Sequence, residues 1–184
     1  MSGDFELTMD ELRAVARYAA TSAEDVLAVF EKSVPGDPRP RAALDAARTF
    51  ADGARRTGLQ RTASTDAHRA AAEAGTEAAR LAARCAGDAA AAAYLHPIAR
   101  ATQVGHILRA AASAARIAEL EAGGDPAAAE RSIEQARQRA TPTLVDVLCR
   151  YPPAPAAGNR VARLMSALDT ALRASRPDRT SAVE

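Results

Sequence analysis

His96, Arg100, Gln103 and His106 recur at three- and four-residue spacing around the break at Pro97. On a helix turning 100° per residue, Arg100 and Gln103 lie close to His96 in azimuth, and His106 falls toward the edge of the same face. Such a face can hold an anion or a polar ligand, because arginine stays charged and imidazole donates, accepts or shuttles protons. With Tyr94 just upstream, these residues form one candidate small-molecule pocket between helices. A solvated face of an amphipathic helix, with His96 as a surrogate N-cap, gives the same pattern.

Asp37, Arg39, Arg41, Asp45 and Arg48 form a second group. Arg41, Asp45 and Arg48 stand at i, i+4 and i+7, a spacing for intrahelical ion pairs worth a few tenths of a kcal/mol each. Two of the arginines flank Pro40, whose ring holds the backbone rigidly. The group is therefore also a candidate surface for an acidic partner, since arginine binds carboxylates through paired hydrogen bonds.

Other chemistry finds little support. Lys32, the sole lysine, is followed by Ser33 but preceded by Glu31 where a phosphate loop needs glycine. There is no G-x-G-x-x-G after a strand and no G-x-S-x-G elbow. His68, His96 and His106 are far apart, without an H-E-x-x-H or a C-x-x-C, so no metal site and no cofactor are expected. Cys85 and Cys149 are isolated, too few for a disulfide framework and consistent with a reducing cytosol. No nucleotide, metal or nucleophile motif favours catalysis.

The elements that carry these residues follow from composition. The 184 residues suit one domain of ordinary size, with 48% hydrophobic and 26% charged residues. Aromatics are 3%, tryptophan is absent and alanine supplies about a quarter of the chain. Alanine has the highest helix propensity, and β-branched and aromatic residues are scarce, so the expected fold is all-α. The net charge of +1 steers the chain toward neither nucleic acid nor anionic lipid. No apolar run approaches a membrane span, and the acidic start, Met1 to Glu11, is not a secretory signal.

Thr8 to Glu11 reads as a capping box opening a long helix to about Lys32. Asp37 is expected to cap a second helix, with Pro38 at its first position and Gly53 at its end. Thr57 to Glu73 and Thr76 to about Leu95 read as the next two helices, and another is expected from Pro97 to about Glu121. Asp125-Pro126 and Thr141-Pro142 open two shorter ones, and a last helix runs from about Arg160. The Ala-rich helices should be central, because small side chains let axes approach closely. Residues 1–174 are thus read as a single bundle of seven or eight helices, and 175–184 as a disordered tail.

The run from Gly36-Asp37 through Pro38-Arg39-Pro40-Arg41 to Ala47-Arg48, followed by Phe50 and Gly53, resembles the opening signature of the Imm5-like family of immunity proteins. Ala67-His68-Arg69-Ala70-Ala71 and the segment from Ala78 to Gly87 resemble its next two helices. The likeness runs from about Asp37 to Glu119, and Tyr94 departs from it where relatives often carry a histidine. The resemblance implies an all-α, non-catalytic binding protein of the bacterial cytoplasm, encoded beside a toxin and partnered by that cognate toxin. Similar sequences also carry the name exonuclease SbcC, but that ATPase class needs a Walker A loop and a long coiled coil, which this chain lacks. The alternative from the residues themselves is a small-molecule-binding or enzymatic protein using the pocket of Tyr94, His96, Arg100, Gln103 and His106. Oligomeric state is left open.

Overall fold

A computed structural model describes residues 5–156 and 158–176. Eight α-helices form among them: α1 (Met9–Ser33), α2 (Arg39–Ala51), α3 (Gly58–Glu73), α4 (Glu77–Ala91), α5 (Val104–Glu121), α6 (Pro126–Arg139), α7 (Pro142–Leu148) and α8 (Arg160–Ala174). No strand forms among the described residues, so the fold is all-α. The expected tail over 175–184 lies, from residue 177 onward, outside the described residues.

Most helix starts follow the capping chemistry of the sequence. Thr8 Oγ1 accepts from Glu11 N–H at 3.2 Å while Thr8 N–H donates to Glu11 Oε2 at 2.8 Å, the reciprocal capping box. Asp125, Thr141 and Asn159 each accept from a first-turn amide, and Pro126 and Pro142 occupy first-turn positions. Thr57 and Gln60 form a second capping box that the sequence pattern did not single out. At α2 the start shifts by one residue: Pro38 is the N-cap, and Asp37 Oδ1 supplies the missing acceptor to Arg39 N–H at 3.0 Å.

The core is assembled around α4, which packs against α1, α2, α3 and α5. Its buried surface is mostly methyl groups, including Ala79, Ala82, Ala83, Ala86, Ala89 and Ala90. Short side chains on every face let four neighbours approach one axis. Around it Phe30, Phe50, Leu44, Ile107, Leu108 and Leu148 fill the larger spaces and are fully buried. The longer helix α5 extends the packing to α6 and α8.

The segment after α4 differs from the expectation. A 3-10 turn covers Ala92–Tyr94, the chain is irregular through Arg100, a second 3-10 turn covers Ala101–Gln103, and α5 begins only at Val104. A helix starting at Pro97 would need the His96 and Pro97 carbonyls for its own ladder. Both have tertiary partners instead: Tyr151 Oη–H donates to His96 O at 2.8 Å and Phe5 N–H to Pro97 O at 3.2 Å. The rings of Phe5 and Tyr151 meet edge to face at 4.9 Å, securing the arrangement.

Candidate functional site

The α2 group is largely committed to the fold. Arg39 grips Asp37, with Nη2 2.6 Å from Oδ2, and also reaches Glu73 at the end of α3. Arg41 Nε lies 2.6 Å from Glu31 Oε1 on α1, and Arg48 pairs with Glu24 on the same helix. The intrahelical contact of Arg48 with Asp45 is long, 4.0 Å, so the α2 charges act mainly as struts between helices. The guanidinium of Arg39 holds Asp37 below the usual carboxylate range.

The second group is dispersed, because the late start of α5 removes the helix that was to align it. Only His106 lies on α5; His96 and Arg100 sit in the irregular segment and are exposed. Gln103 is buried, and its Oε1 accepts from His96 N–H at 3.1 Å. Tyr94 points elsewhere: its hydroxyl donates to Thr57 O at 2.5 Å, and its ring lies under Arg56 and Arg61 at 5.2 and 4.6 Å. The structure thus brings His96 and Gln103 together, leaves His106 on α5 with its own environment, and puts Tyr94 with a different set of arginines.

A polar centre that the sequence reading missed lies between α3, α4 and α5. Asp88 is 5% exposed, and its Oδ1 stands 3.6 Å from both His68 Nε2 and Arg109 Nη1, longer than a hydrogen bond. Its Oδ2 has no partner among the described residues, and neither does the buried Nδ1 of His106. Burial pushes the Asp88 carboxyl up, against the pull of Arg109 and His68, while burial and Arg109 hold His106 below the usual imidazole range.

Two helical glycines make room for this centre. A Cβ on Gly87 would fall 2.9 Å from His68 Nε2, and one on Gly105 would fall 2.1 Å from Arg109 Nη2. The other buried carboxylates are fully occupied by contrast. Asp169 accepts from Ala154 N–H at 2.9 Å and from Arg173 Nε–H at 2.8 Å. Glu119 is held by Arg160 and Arg116 at 2.7 and 2.8 Å, which lowers its pKa to about 2. Asp88 alone of the three is buried and under-bonded, the condition under which a group is available to a ligand.

A signal for Asp88 was present in the sequence. Leu81, Cys85 and Asp88 follow i, i+4 and i+7, so a carboxylate continues an apolar stripe, directly after a glycine. Cys85 on that stripe is itself inert, since burial pushes its thiol up and it donates to Ala110 O. Both cysteines are free, and no group of three or more potential metal ligands converges among the described residues. No helix of the described residues is long and apolar enough to cross a membrane.

Comparison with curated proteins and with solved structures returned no match. A family model, described as Imm-5 like putative immunity protein, matches residues 6–141 and so takes in α1 to α6 with the Asp88 centre. With most of its 184 residues under that match, the chain belongs to the Imm-5 like immunity protein family.

Proposed function

We propose that the chain neutralises a cognate toxin by binding it, without catalysis. Family membership supports the immunity role. The observation that carries a binding surface is the Tyr94 ring in contact with the guanidinium groups of Arg56 and Arg61, with Leu59, 57% exposed, on the chain between them. Arg55, Arg56 and Arg61 are exposed, and none has a described carboxylate within ion-pair distance. Tyrosine and arginine are enriched at interface hot spots, and stacking restrains both before contact. An acidic toxin surface is the complement.

The α2 group of Asp37, Arg39, Arg41, Asp45 and Arg48 is a second candidate contact, weaker as an anchor because each arginine already has an internal carboxylate. The test is binding of the toxin encoded by the adjacent gene. Arg56→Ala with Arg61→Ala should weaken it by about 2 kcal/mol or more, near thirtyfold, with helical dichroism unchanged. Arg39→Ala with Arg41→Ala should have the smaller effect. If only the latter pair matters, the contact is at α2; if the adjacent gene product does not bind at all, the toxin reading fails.

A small-molecule role for Tyr94, His96, Arg100, Gln103 and His106 is the second reading. The unpartnered His106 Nδ1 favours it. The separation of Tyr94 and Arg100 from His106 weighs against a single pocket of those five.

A further inference from the structure

Arginines also gather where α4 meets α5 and the start of α8. A cavity of about 250 Å³ lies between α4, α5 and the start of α8, with Arg84, Arg109 and Asn159 at its edge over Leu81, Val161 and Met165. An adjoining cavity of about 210 Å³ shares Leu81, Arg84, Asn159 and Val161 and adds Arg80, Arg160 and Glu77. The joined cleft therefore carries four arginines against one carboxylate, in a chain whose net charge is only +1.

The internal compensation of these charges is uneven. Arg160 is spent on Glu119 and Glu77 on Arg116. Arg84 forms no ion pair or hydrogen bond among the described residues, and Arg109 has only the 3.6 Å contact with Asp88. Asp88 is also the buried carboxylate whose second oxygen is unpartnered. Arg109, 45% exposed and only loosely engaged by Asp88, lines the cleft with Arg84. Two guanidinium groups above an apolar floor are complementary to a molecule with an anionic head and an apolar body.

We propose that this cleft binds a small organic carboxylate, its head between Arg84 and Arg109 and its body on Leu81, Val161 and Met165. The volume is just below the usual range for ligand pockets and suits a fragment such as an aromatic acid. The site is separate from the Arg56–Tyr94–Arg61 surface, and its occupancy does not depend on a toxin.

The experiment is a nuclear magnetic resonance titration of the full chain, labelled with nitrogen-15, using benzoate, acetate and inorganic phosphate as probes. Benzoate should produce saturable shifts of the Arg84 and Arg109 Nε–Hε signals, with affinity at least tenfold tighter than acetate or phosphate. Arg84→Gln, at an exposed side chain the fold does not use, should weaken benzoate at least fivefold with the backbone spectrum otherwise unchanged. Asp88→Asn should keep or tighten binding, because the competing carboxylate is removed. Equal, unsaturating responses to the three anions would mean screening only and would overturn the proposal. So would benzoate binding that Arg84→Gln leaves intact, or phosphate binding more tightly than benzoate.

Discussion

Replacing Asp88 by alanine should make the protein more stable, although Asp88 is buried and stands near Arg109 and His68. The unpartnered Oδ2 costs about 1–3 kcal/mol of desolvation. The two contacts at 3.6 Å return little, because His68 and Arg109 are 41% and 45% exposed and solvent screens them; each is worth at most about 1 kcal/mol. Alanine adds roughly 0.5 kcal/mol of helix propensity, offset by the space left by three heavy atoms. The net gain is about 1 kcal/mol, or near 3 °C in Tm for a chain of this length. A carboxyl whose pKa is raised in the folded state favours folding at low pH. Its cost grows as pH rises from its ordinary 3.8 through the raised value. The gain from Asp88→Ala should therefore be larger at pH 8 than near pH 4. Thermal and urea unfolding followed by dichroism at several pH values measure it. Asp169→Ala is the control, expected to cost about 2–4 kcal/mol because it strands Arg173 and the Ala154 amide. A loss of stability on Asp88→Ala at pH 8, or a gain independent of pH, would refute the reasoning.

Glu119→Gln should lower stability at neutral pH and flatten the acid limb of the stability profile. The Glu119 carboxylate, with its pKa depressed to about 2, stabilises the fold above its ordinary 4.5 and loses that contribution as pH falls toward 2; acid titration of wild type and variant compares them. Tyr151→Phe strands the His96 carbonyl and should cost about 1 kcal/mol, with faster amide exchange in residues 95–103 than elsewhere. Deleting 176–184 should leave Tm nearly unchanged, since Arg176, the described part of that segment, contributes a 3.3 Å backbone bond to Arg173 O and an exposed 3.6 Å contact with Asp146; a fall of several degrees would show that it docks.

Local signals carried most of the fold. Capping residues followed by proline or by apolar periodicity marked the starts of α1, α6, α7 and α8, because those interactions lie within a few residues of each other. The start of α5 was not legible, since it depends on Phe5 and Tyr151, about 90 and 55 residues distant in sequence from the carbonyls they occupy. The same displacement dissolved the expected stripe of His96, Arg100, Gln103 and His106. For Arg39 and Arg41 the sequence gives the charges but not the facing carboxylates Glu73 and Glu31, which come from other helices. The Asp88 centre required the α3–α4–α5 packing to become visible, although the glycine and the carboxylate on an apolar stripe hinted at it.

A methyl group has no rotamers to exchange, and α4 meets its neighbours mostly through methyl groups. Helices packed through long side chains absorb a perturbation by local repacking, so the disturbance dies within a few ångströms. Alanine contacts offer no such slack, and α4 can yield only by sliding or tilting as a whole. Asp88 lies near one end of this rod, and the chain continues directly through Ala91 into the turn that carries Tyr94. A change at Asp88 is therefore expected to be met by α4 as a unit, with the alanine seams acting as a guide rather than a cushion.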